Sequence, residues 1–197
     1  MKRSRAKSGA FSKVLTVFCF VMLALYTYLN VIHPATEEES VSSPSQVAFE
    51  IGFSPKGKSL DIILDGIDKA KKSIIVAAYT FTSKPISEAL LKAHKRGVDV
   101  KVVADAKSNS GQYSAVTFLA NQGVPVRVNS RYTIFHHKFM VFDGLHVETG
   151  SFNYSAAAAE KNAENVLLLL NVPEIAERYS REWQRLWNES KEVPPKY

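Results

Sequence analysis

Hydrophobic and polar positions divide the chain into three unlike stretches. Residues 14–32, VLTVFCFVMLALYTYLNVI, run for nineteen positions without a charge. Residues 33–46, HPATEEESVSSPSQ, show no apolar periodicity. From Val47 onward the pattern switches between periods of two and about 3.6, the signatures of strand and helix. Strands are predicted over Val47–Phe53, Ser73–Tyr79, Val98–Asp105, Val124–Val128, Phe135–Phe142, Leu145–Thr149 and Glu164–Leu170. Helices are predicted over Ser59–Lys72 with Ser59 as N-cap, Lys84–Arg96 closed by Gly97, Tyr113–Gln122 ended by Gly123, Ser155–Lys161, and Pro173–Ser190. Ala106–Gln112 reads as a polar loop, and Asp143-Gly144 is a tight-hairpin signal. Alternating strands and helices predict an α/β fold, one domain over residues 47–197 with a mixed sheet flanked by helices.

Ahead of the uncharged run lies a basic leader, residues 1–13. At about 1.5 Å per residue, a helix over residues 14–32 spans a bilayer core. Tyr26, Tyr28 and Asn30 suit its interfacial end, and the basic flank predicts a cytoplasmic N-terminus with residues 47–197 across the membrane. A cleaved secretory signal has the same order of features. The run is long for a signal, however, and no A-x-A site is apparent. The acidic, Ser-rich residues 33–46 read as a linker.

Charge changes the picture less than its total implies. The formal charge of +6 invites a nucleic-acid reading, but Lys2, Arg3, Arg5, Lys7 and Lys13 all sit in the leader. Beyond residue 33 there are 20 basic against 19 acidic residues, and 20 against 16 once Glu37–Glu39 are set aside with the linker. Any nucleic-acid contact must therefore rest on local charge placement. Cys19 is the sole cysteine, which excludes an intrachain disulfide framework and a Cys-based zinc site.

The candidate chemistry lies in Phe135–Asn153, FHHKFMVFDGLHVETGSFN. On a strand, His136 and Lys138 share a face. An imidazole beside an ammonium suits an anionic substrate: Lys138 supplies charge, and His136 serves as nucleophile or in proton transfer. The hairpin returns Ser151 and Asn153 toward them as hydroxyl and amide donors. His137 falls on the opposite face, where an ordinary structural histidine is expected. Asp143 falls there too, and a supporting role through a salt bridge or backbone contacts is expected of it. His136, His137 and Asp143 share no face and have a lysine among them, a poor arrangement for a metal.

The spacing His136-x-Lys138, four residues, Asp143, six residues, Gly150-Ser151-x-Asn153 resembles the HKD signature of the phospholipase D superfamily. Similarity runs from about Ile74 to about Asn188. It is strongest to the small, single-motif bacterial endonucleases, through YTFT at Tyr79–Thr82, KRGVDVKVVAD at Lys95–Asp105 and KNAEN at Lys161–Asn165. The resemblance implies a phospholipase D-like domain, with the nucleophile at the first histidine, His136, and Glu164 orienting it. It also implies a symmetric homodimer with both motifs at the interface, the second imidazole protonating the leaving group. No cofactor or metal is implied. With the leader, it points to a bacterial envelope: anchored in the inner membrane facing the periplasm or outside, or secreted to the periplasm if the leader is cleaved.

Three functions follow. The first is a non-specific endonuclease on DNA or RNA, acting through a phosphohistidine, with Lys84, Lys107 and Arg131 in loops that contact backbone phosphates. The second is phospholipase D hydrolysis of membrane phospholipid, which an anchor makes sterically convenient. The third is an inactive, membrane-tethered nucleic-acid-binding module, which the intact His136, Lys138, Ser151 and Asn153 disfavour.

Overall fold

Strand alternation sorts the side chains of the sheet into two apolar layers, and helices cover both. The computed structural model describes residues 22–23, 25–28, 47–111 and 114–196. The expected leader, the linker, most of the apolar run 14–32, and Gln112 and Tyr113 at the start of an expected helix lie outside them. Among the described residues no helix is long and apolar enough to cross a membrane.

The elements follow as β1 (Ala48–Ser54), α1 (Ser59–Lys69), β2 (Ser73–Ala78), α2 (Lys84–Lys95), β3 (Asp99–Asp105), α3 (Ala115–Asn121) and β4 (Val126–Asn129). Then come β5 (Lys138–Phe142), β6 (His146–Gly150), α4 (Ala156–Glu160), β7 (Glu164–Leu170), α5 (Pro173–Asn188) and β8 (Lys191–Glu192). The eight strands form one sheet in the order β1-β7-β6-β5-β2-β3-β4-β8. β2, β3 and β4 pair in parallel, joined through helices, and the remaining pairs are antiparallel. The expected α/β domain with a mixed, helix-flanked sheet is present.

On one face Ile74, Val76, Val102 and Met140 pack with Ile63 and Ile67 of α1, Leu90 of α2 and Leu119 of α3. On the other, Ala77, Val103, Phe139 and Val147 pack under Ala176, Trp183 and Leu186 of α5. α5 does not cover the sheet's far edge. Phe49, Ile51 and Phe53 of β1, on the α5 side, are 60%, 51% and 65% exposed.

Local differences from the sequence reading have identifiable causes. α1 ends at Lys69, not Lys72, because the Asp143 carboxylate takes the backbone N–H groups of Lys71, Lys72 and Ser73. Ser59 is not the N-cap. Lys58 holds that position without a side-chain cap, and Ser59 is buried beneath Gly52, with its hydroxyl unpartnered among the described residues. β5 begins at Lys138, not Phe135, because the Phe135 N–H goes to the Asp105 carboxylate rather than into a ladder. The two-residue β8, paired with β4, was not anticipated.

Candidate active site

The β5–β6 hairpin turns as its sequence demands. Asp143 and Gly144 both have positive φ, 57° and 68°, the pair of angles a tight primed turn requires. β6 then pairs Gly150 with Val166 of β7. A Cβ at Gly150 would collide with the Asn165 carbonyl, so only glycine lets the following residue reach β7. The result is a reciprocal pair of bonds: Ser151 N–H to the Asn165 carbonyl at 3.2 Å, and Asn165 N–H to Ser151 Oγ at 3.1 Å.

His136 and Lys138 come together on one aromatic ring. The Tyr79 ring lies 4.7 Å from the His136 imidazole, centroid to centroid, and 5.1 Å from Lys138 Nζ. Lys138 is 7% exposed, and its Nζ donates to the His136 carbonyl at 2.9 Å. Burial pulls the Lys138 ammonium below its ordinary pKa, and the charge of Glu164 partly restores it. An open cleft of about 410 Å³ on the α5 side is lined by His136, His137, Lys138, Phe139, Thr149 and Gly150 and, from α5, by Arg178, Tyr179 and Glu182.

Ser151 and Glu164 form a unit beside them. Ser151 Oγ donates to Glu164 Oε2 at 2.6 Å, and Asn162 Nδ2 donates to Oε1 at 3.0 Å. The Ser151 hydroxyl proton is thus committed to Glu164 rather than directed at a substrate oxygen. Glu164 makes no hydrogen bond to His136 among the described residues. Asn153 Oδ1 is buried without a partner among the described residues.

His137, just ahead of β5, turns toward α5 and also lines the cleft. Its ring sits edge-on between Phe135 and Phe139, with Nε2 3.9 Å from Glu182. Burial there lowers its pKa, against the opposing pull of Glu182. Asp143 accepts bonds of 2.7 to 3.1 Å from three consecutive N–H groups. Burial would raise its carboxyl, but these bonds together bring it below the ordinary value. His136, His137 and Asp143 therefore do not converge on a common point.

None of the three loop cations suggested by sequence lines the cleft. Lys84 stands 3.8 Å from Glu88, and Arg131 is 3.2 Å from Glu189. Lys107 is exposed in the loop after β3. The cation that does line it, Arg178, escaped the sequence reading because only the packing of α5 brings it there. Tyr79 escaped as well, being noted only as part of YTFT.

Comparison with known proteins gives the family. Residues 63–187 match the family model described as cardiolipin synthase, phospholipase D-like domain. A phospholipase D of Rickettsia bellii is 33% identical over 150 residues, covering 76% of this chain and 74% of the relative. The mitochondrial cardiolipin hydrolase of Xenopus laevis is 37% identical over 120 residues, 61% of this chain and 57% of that one. Among solved structures, Nuc of Salmonella typhimurium, described as a phospholipase D family member, superposes with a TM-score of 0.74 at 42% identity. The match covers 76% of this chain and 99% of Nuc. The chain belongs to the phospholipase D superfamily, and its coarse chemistry is that of a phosphodiesterase.

Proposed function

We propose that the chain is a metal-independent, non-specific endonuclease that hydrolyses nucleic-acid phosphodiesters through a phosphohistidine on His136. The carrying observation is that the His136 imidazole and the Lys138 ammonium lie against one ring, that of Tyr79. A neutral imidazole nitrogen attacks phosphorus, forming a P–N bond as the P–O bond to the leaving sugar breaks. A second imidazole, His136 of another copy of the chain, gives the departing oxygen its proton. The same imidazole then takes a proton from water, whose oxygen displaces His136 from phosphorus. Lys138 neutralises the non-bridging oxygens as charge builds on them.

A homodimer with a shared site follows from needing two imidazoles. The exposed strip of Phe49, Ile51 and Phe53 supports it. That apolar surface ends where Phe53 and Ser54 pair with Asn165 and Glu164, beside the site. A second copy covering the strip would bring a second motif close. Arg178 and Lys107 are the cations left to contact flanking phosphates. With residues 14–32 as anchor or signal, the site works in the cell envelope, on the far side of the inner membrane.

The resemblance of YTFT, KRGVDVKVVAD and KNAEN to the small single-motif bacterial endonucleases supports nucleic acid as substrate. The rival is phospholipid, supported by relatives named phospholipase D and cardiolipin hydrolase. The test gives the purified full-length chain plasmid DNA, RNA, and phosphatidylcholine or cardiolipin vesicles in excess chelator. Cleavage of DNA or RNA is expected. Turnover of lipid alone overturns the choice, and turnover of nothing favours a binding module.

A further inference from the structure

Something must hold the imidazole of His136, and no carboxylate among the described residues bonds to it. What does touch it is Tyr79, just past the end of β2, with its ring tilted 57° to the imidazole. The same ring faces Lys138 Nζ. A π face attracts an ammonium and packs against an imidazole, so one side chain restrains both members of the motif.

Tyr79 is itself held by two buried polar residues that the chemistry does not otherwise use. Asn109 Nδ2 donates to the Tyr79 carbonyl at 2.6 Å and to the Asp105 carbonyl at 2.8 Å, and its Oδ1 accepts from Phe81 N–H at 2.9 Å. Asp105 Oδ1 accepts from Ser108 N–H at 2.7 Å, and Oδ2 from Phe135 N–H at 2.9 Å. One buried pair therefore grips the chain at Tyr79 and again at the residue before His136. Both are almost wholly buried, where a lost hydrogen bond is not replaced by water.

We propose that Tyr79 is the positioning residue that aims His136 and keeps Lys138 beside it, its own place set by the Asp105–Asn109 brace. The proposal rests on His136 being the nucleophile. The Tyr79 hydroxyl has no partner among the described residues, so the ring does the positioning and phenylalanine should replace it. Leucine fills much of the space but offers no π face.

The test compares full-length wild type with Tyr79→Phe and Tyr79→Leu. Hydrolysis of bis(p-nitrophenyl) phosphate is followed, with the His136 imidazole signals read in a carbon–proton NMR spectrum and assigned by His136→Asn. Tyr79→Phe should keep the wild-type kcat and imidazole signals. Tyr79→Leu should lower kcat by roughly 10²-fold, the effect of an ångström-scale misplacement, with KM unchanged and the His136 signals displaced as the ring current is lost. Asn109→Ser should move the same signals although residue 109 touches neither ring. Unmoved His136 signals in Tyr79→Leu overturn the proposal, as does wild-type kcat in that variant. If the wild type cleaves no phosphodiester, the proposed function fails, and the spectra still decide whether Tyr79 holds the imidazole.

Discussion

Ser151 gives its hydroxyl proton to Glu164 at 2.6 Å and takes a bond from the Asn165 N–H through the same oxygen. Both bonds cross from the loop after β6 to β7, so Ser151 fixes the position of the carboxylate whose charge acts on Lys138.

Ser151→Ala should therefore act through Glu164. Removing the two hydrogen bonds of this exposed hydroxyl destabilises by about 1–2 kcal/mol, a modest change in the thermal midpoint. The loss of turnover should be much larger, on the order of 10²-fold, as when a charged group of a site is displaced by about an ångström. Parallel kinetics and melting curves check this. A loss of activity no greater than the loss of stability would reduce Ser151 to a turn residue.

Asp143 should behave in the opposite way, as a stability residue. Asp143→Ala strips the acceptor from three backbone N–H groups at the α1–β2 junction and should destabilise by on the order of 2–3 kcal/mol. The residual fold should still cleave substrate. Because folding lowers this carboxyl's pKa, its contribution is present above the unfolded value and is lost as pH falls through the folded one. Wild type and variant should converge in stability at acid pH.

Glu148 titrates in the reverse sense. It is fully buried on β6 between Met140 of β5 and Leu168 of β7, accepts from the Tyr154 hydroxyl at 2.7 Å through Oε2, and leaves Oε1 without a partner among the described residues. Burial pushes its carboxyl up to about 8, the Tyr154 bond opposing. The folded state therefore holds a proton that the unfolded state has released. The stability this confers is complete below the unfolded value near 4.5 and is lost as pH rises toward 8. Glu148→Gln removes the penalty of ionising in the core. It should raise the melting temperature at pH 8 more than at pH 5, each kcal/mol counting for roughly 2–4 °C in a domain of this size. An equal shift at both pH values would show that Glu148 does not ionise within the fold.

The exposed strip on β1 predicts the oligomeric state. Phe53→Asp should turn a dimer into a monomer in analytical ultracentrifugation and abolish turnover, since a lone chain lacks the second imidazole. Mixing Phe53→Asp with His136→Asn should restore nothing, because neither supplies a competent interface and nucleophile together. An active Phe53→Asp monomer would contradict the two-chain site.

Much of this architecture was legible in the sequence because its signals are local. Alternation marked β1, a near-continuous apolar run marked β2, the glycines after α2 and α3 marked their ends, and Asp143-Gly144 specified the hairpin before any partner strand was known. The motif spacing set His136 two residues from Lys138, and a hairpin of set length leaves little choice of register for the return to Gly150. Tertiary structure alone decided which groups hold those residues. Asp105 draws the Phe135 N–H out of the ladder, Asn109 grips Tyr79 from thirty residues away, and α5 carries Arg178 across to the cleft. Contacts of that kind depend on long-range packing, where one buried carboxylate or amide outcompetes a backbone partner, and no local period in the chain records them.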